Sequence, residues 1–123
     1  MYEHDPLTEQ IIQAGIEVHR ALGPGLLETV YEEALRIELR NHGLPCQRQI
    51  GVPVTYRGHL IGEYRPDLVV AETVVVEVKS VERLDPVHRA QLLAYLRVTK
   101  IRVGLLMNFN AAVLKDGLKR LAL

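Results

Sequence analysis

The chain has 123 residues, 48% of them hydrophobic and 24% charged, and its 15 Lys and Arg balance its 15 Asp and Glu. This composition excludes a disordered or low-complexity chain, and the length suits one domain across residues 1–123. No apolar run approaches the ~20 residues of a membrane span. The acidic opening MYEHDPLTEQ lacks the basic-then-apolar signature of a signal peptide. The single cysteine, Cys46, excludes an internal disulfide framework and a cysteine-clustered metal site. A cytoplasmic protein is the expectation.

Charge is unevenly spread. Residues 1–82 hold 13 acids and 7 bases, whereas residues 83–123 hold 2 acids and 8 bases. Such asymmetry fits an anionic partner meeting the C-terminal part, and equally fits a solvated basic surface.

In chain order, DPLTEQIIQAGIEVHRAL reads as a helix with Asp5 or Thr8 as its cap and Pro6 at its first position. Ile11, Gly15, Val18 and Leu22 form its apolar stripe. GPG at 23–25 stops it. A second helix is expected from Leu26 to His42, with Leu27, Val30, Ala34 and Ile37 on one face and Gly43 as its stop. The period then changes to two. QIGVPVTYRGHLIGEYRPDLVV reads as strands with a turn at Arg57-Gly58, and TVVVEVKSV as the next strand. DPVHRAQLLAYLRVT restores helical spacing at Val87, Leu92, Tyr95 and Leu96. RVGLLMNF is a further buried strand, parallel to the TVVVEVKSV strand through a right-handed crossover. Asp116-Gly117 predicts a small terminal hairpin. The fold class is α/β, a mixed sheet flanked by helices.

Within RPDLVVAETVVVEVK, apolar strands carry Asp67, Glu77 and Lys79. Glu77 and Lys79 are two apart and share a face. A three-residue loop at 71–73 sets Asp67 opposite Glu77, with Cβ atoms about 5 Å apart. A two-residue loop pairs Asp67 with Val76 and separates the carboxylates. Facing carboxylates repel unless a cation sits between them. Hard oxygen ligands suit Mg²⁺ or Mn²⁺, and Lys79 beside them could orient a water or stabilise charge on a phosphate. The competing reading is a structural ion pair at a strand end.

PD at 66–67 followed by EVK at 77–79 resembles the PD-(D/E)XK nuclease signature, and the expected element order resembles that superfamily's αβββαβ, restriction-endonuclease-like core. An extra N-terminal helix and the small C-terminal hairpin flank it. GLLETVY at 25–31 is similar to the motif of the GxxExxY family, through Gly25, Glu28 and Tyr31. Gln91 and Tyr95 resemble the QxxxY motif of RecB-type exonucleases. The resemblance implies a Mg²⁺- or Mn²⁺-dependent nuclease, with DNA the expected substrate. It assigns Asp67, Glu77 and Glu28 to metal, Lys79 to the attacking water, and Gln91 and Tyr95 to support of substrate or lysine. It also implies a homodimer. By position alone Glu28 is a first-turn acid favoured by the helix dipole, and Tyr31 is either a hydroxyl donor to the acids or core with a wet tip. Arg89, Arg97 and Lys100 are candidate backbone-phosphate contacts. The alternative is a non-catalytic nucleic-acid-binding or regulatory module on the same fold.

Smaller expectations complete the reading. Arg65 pairs with Glu63 or touches phosphate. Asn108 and Asn110 satisfy loop backbone by default. His88 is read as an exposed side chain. His4, His19, His42 and His59 receive no role, and Cys46 is a small apolar strand residue.

Overall fold

A computed structural model describes residues 5–123; His4 lies outside the described residues. The elements are α1 (Pro6–Leu22), α2 (Glu28–Asn41), β1 (Cys46–Arg48), β2 (Val52–Tyr56), β3 (His59–Tyr64), β4 (Leu68–Val70), β5 (Val74–Lys79), α3 (Pro86–Thr99), β6 (Val103–Asn108), a 3₁₀ turn (Leu114–Gly117) and β7 (Leu118–Ala122). Five strands form one sheet in the order β1-β4-β5-β6-β7, and β2 and β3 form a separate two-stranded ribbon. β5 and β6 are parallel, and the other neighbouring pairs are antiparallel. The αβββαβ order is thus α2, β1, β4, β5, α3, β6, with the β2–β3 ribbon inserted between β1 and β4.

Both faces of the sheet are covered, so β5 is buried along nearly its whole length. α1 and α2 pack on Leu68, Val76, Val78, Leu105 and Met107. Leu92 and Leu96 of α3 pack on Val69, Val75 and Leu106 on the other face. α1 begins as expected: Asp5 accepts a hydrogen bond from the Leu7 backbone N–H at 3.0 Å, with Pro6 next.

Four expectations are corrected. Leu22 is 40% exposed, so the α1 stripe ends at Val18. α2 buries Tyr31, Glu32, Leu35 and Leu39 and leaves Leu27, Val30 and Ile37 exposed. Its rotation follows Tyr31, whose ring stacks on Phe109 at 4.7 Å between centroids. Third, the strands do not open at Gln49: β1 is Cys46–Arg48, three residues too short to show a period, and Gln49 lies in the break after it. Lastly, Asp116-Gly117 ends the 3₁₀ turn, and β7 joins the main sheet against β6 instead of closing a local hairpin. The Arg57-Gly58 turn does form, with φ of 49° and 81°. Two positive φ values suit the type I′ geometry that matches strand twist.

Candidate active site

β4 and β5 pair Leu68 with Val76, Val69 with Val75 and Val70 with Val74. Residues 71–73 are therefore the three-residue loop, and the same register carries Asp67 opposite Glu77. Ala71 and Glu72 absorb the reversal with φ of 51° and 59°. The two acids cross-link the strand ends. Glu77 Oε2 accepts the Asp67 backbone N–H, and Asp67 Oδ2 accepts the Val78 backbone N–H, both at 2.8 Å. Oε1 of Glu77 meets no donor among the described residues.

Glu77 is 2% exposed. Burial, reinforced by the Asp67 charge, pushes its pKa up to about 8. Burial likewise raises Asp67 to about 6, against the opposing hydrogen bond from Val78. Two carboxylates that resist ionising together are what a cation between them relieves.

Lys79 ends β5 on the Glu77 face. Its Nζ donates to Gln91 Oε1 at 2.8 Å, and Gln91 Nε2 donates to the Tyr95 hydroxyl at 3.4 Å. The four-residue spacing on α3 makes this chain of contacts. Burial, followed by the charges of Glu77 and Asp67, raises the Tyr95 pKa. The structure therefore brings Asp67, Glu77, Lys79, Gln91 and Tyr95 to one place.

Glu28 sits at the margin of this group. Its Oε2 accepts the Ser80 backbone N–H at 3.3 Å, just beyond Lys79, beside a hollow of about 410 Å³ lined by Leu26, Leu27, Glu28, Thr29 and Ser80. Tyr31 is not part of the acid cluster. It is fully buried, donates to the Gly23 carbonyl and accepts the Leu26 N–H at 3.0 Å, so it fastens the GPG loop. Gly25, with φ 98°, supplies a backbone shape that side chains rarely adopt.

Sequence reasoning missed Glu32 and Gln49. Glu32, one turn beyond Glu28, is 3% exposed, and its Oε1 accepts from Arg48 Nε at 2.9 Å and Gln49 Nε2 at 2.6 Å. The same Gln49 amide reaches Asp67 Oδ1 at 3.1 Å. The Glu32 charge also raises the pKa values of Asp67 and Glu77. No local signal marks Gln49, which holds φ 55° in the break after β1.

The basic candidates lie apart. Arg89 and Arg97 are exposed on α3, each two positions from Gln91 or Tyr95 and so on a different side of the helix. Lys100, past the end of α3, lines a hollow with Glu72, Thr73, Ile101 and Arg102. That is the opposite end of the sheet, roughly 15 Å along β5 from Lys79. Arg65 pairs with Glu63 at 2.7 Å. Asn108 and Asn110 satisfy the Val81 backbone. His88 Nδ1 accepts the Asp85 N–H and caps α3.

Among the described residues, no group of three or more His, Cys, Asp or Glu side chains is arranged to hold a metal ion. The hard-oxygen pair Asp67–Glu77 nevertheless suits a hard divalent cation of the kind that binds through one or two carboxylates and keeps several waters. No curated protein and no solved structure matches the chain. The family model described as the PD-(D/E)XK nuclease superfamily matches residues 5–121, from the cap of α1 into β7, and the chain belongs to that superfamily.

Proposed function

We propose that the protein hydrolyses phosphodiester bonds in DNA with Mg²⁺ or Mn²⁺ held by Asp67 and Glu77. The observation that carries this reading is the carboxylate pair, buried Glu77 and half-buried Asp67, facing each other at the ends of β4 and β5 with Lys79 on the same face. A divalent cation bound there supplies Lewis-acid stabilisation of the phosphate and makes water a better nucleophile near neutral pH.

The chain's own groups do the rest. Lys79, steadied by Gln91, presents its ammonium to the attacking water or to charge developing on the phosphate. Tyr95 backs Gln91. Gln49 holds Asp67 against Glu32, and Arg48 compensates the Glu32 charge. Glu28, at the rim, closes the strand end through Ser80. Positioning and electrostatics are the expected sources of rate.

A homodimer is the assembly we expect. Leu27, at the N-cap of α2, and Val30 and Ile37 on it are exposed at helical spacing, an apolar patch that a second copy would cover. Cytoplasmic residence accords with the one free cysteine, Cys46. No helix among the described residues is long and apolar enough to cross a membrane. The test of function is metal-dependent cleavage of DNA by the wild type that is lost in Asp67→Asn and Lys79→Ala variants that stay folded.

A further inference from the structure

The β2–β3 ribbon belongs to neither core cluster and pairs with no other strand. Every residue of β3 is exposed, with Leu60 at 71% and Ile61 at 64%. A two-stranded hairpin is marginal on its own, and this one leans on α3 through β2, whose Val52 and Val54 are half-buried, and is fastened at its base. There the Tyr64 ring meets the Tyr95 ring edge-on at 5.5 Å, and Arg65 donates to the Gln49 carbonyl at 3.0 Å. The base of the ribbon therefore touches the Lys79–Gln91–Tyr95 chain directly.

Register defines what the ribbon presents. Val52 pairs with Tyr64, Val54 with Gly62 and, beyond a bulge after Val54, Tyr56 with His59, so these pairs share one face, half-buried at Val52 and Val54 and exposed at Tyr56 and His59. From Tyr95 outward that face offers Tyr64, then bare backbone at Gly62, where an added Cβ meets nothing within 4 Å. Tyr56, 59% exposed, and His59 follow, and the Arg57 guanidinium lies 5.4 Å from the centroid of the Tyr56 ring.

We propose that this ribbon is a holding element for single-stranded nucleic acid, which it leads along the Tyr56–Tyr64 face to the candidate active site. The proposal rests on the nuclease reading and adds the strandedness of the substrate. Charge complementarity favours it. The acid pair repels phosphate, whereas the ribbon's only acid, Glu63, is tied to Arg65, and Arg57 at the tip, whose Nε donates to the Tyr56 hydroxyl at 2.9 Å, keeps its other guanidinium N–H groups for a backbone phosphate. The face chemistry favours unpaired bases over a duplex groove. Residues 52–64 contain no Asn or Gln to read base edges, but they do carry aromatic rings on which any base stacks.

The test is fluorescence anisotropy with chelator present, using a labelled oligothymidylate and a blunt duplex of equal length. The oligothymidylate binds more tightly. Tyr56→Ala weakens its binding about tenfold or more, and Tyr56→Phe retains it. Arg57→Ala lowers the slope of log affinity against log salt by about 0.7. Preference for the duplex, no binding to either probe, or equal binding by Tyr56→Ala with an unchanged melting temperature overturns the proposal. So does a wild-type dimer that Leu60→Asp dissociates, which makes the ribbon a contact between copies. Metal-dependent cleavage with binding indifferent to Tyr56 sinks the ribbon's role alone. Ribbon-dependent binding with no cleavage in Mn²⁺ sinks the catalytic reading alone.

Discussion

Asp67 and Glu77 are held face to face by each other's strands: the Glu77 carboxylate takes the Asp67 backbone N–H, and the Asp67 carboxylate takes the N–H of Val78, which follows Glu77. The backbone of the sheet thus fixes two acids at a separation their charges oppose. Burial raises Glu77 from 4.5 to about 8 and Asp67 from 3.8 to about 6.

A raised pKa means that the folded protein binds these protons more tightly than the unfolded chain. The associated stability is complete below pH ~4, is lost as pH rises through about 6 for Asp67, and is gone once pH passes about 8 for Glu77. With chelator present, denaturant unfolding should show stability falling across that window by an amount on the order of a few kcal/mol. Glu77→Gln should remove most of the slope. Saturating Mg²⁺ should flatten it in the wild type, because it favours both ionised carboxylates. A metal-free protein that gains stability between pH 5 and 8 would contradict the buried pair.

Lys79 and Gln91 should separate by magnitude. Lys79→Ala should lower single-turnover cleavage by about 10²–10³, the usual scale for losing one charge-stabilising donor. Gln91→Ala leaves the ammonium in place but unsteadied, and should cost roughly 10–100-fold. Metal affinity measured by calorimetry should change little in either variant. Cleavage by Lys79→Ala at the wild-type rate would remove the lysine from the chemistry.

Glu32 is buried and depends on Arg48. Breaking a fully buried pair costs about 3–5 kcal/mol, and the 31% exposure of the Arg48 side chain lets water recover part of that. Arg48→Ala should therefore destabilise by about 2–3 kcal/mol in urea unfolding. Adding Glu32→Gln should restore most of the loss. If the double variant is as unstable as Arg48→Ala, the cost lies in packing of the arginine stem instead.

Tyr31→Phe tests the place of that hydroxyl outside the acid cluster. It keeps the ring on Phe109 and deletes the contacts with Gly23 and Leu26. It should cost about 1–2 kcal/mol of stability with Mg²⁺ affinity unaltered. A large drop in metal affinity would return the hydroxyl to the acid cluster.

The facing carboxylates were legible because period-two alternation and a loop length determine register. Whether three residues lay between Val70 and Val74 was the one open quantity, and the structure supplies it. The Lys79–Gln91–Tyr95 chain was legible through helical spacing. The buried side of α2 was not. Two apolar stripes share that helix, and the choice between them is made by Phe109, far along the chain. Glu32 and Gln49 were hidden for the same reason. Their bond links a helix to the break after a three-residue strand, and no local pattern carries it. The ribbon was readable as strands, but its separation from the sheet is a tertiary fact.

The most direct measurement is calorimetric titration of Mn²⁺ and Mg²⁺ into the wild type and Asp67→Asn, with cleavage of DNA followed on the same samples. The account predicts saturable binding by the wild type, loss of that binding in Asp67→Asn without loss of fold, and cleavage that tracks it. No wild-type binding at millimolar metal, even with DNA present, would leave Asp67 and Glu77 as a structural clasp between two strands.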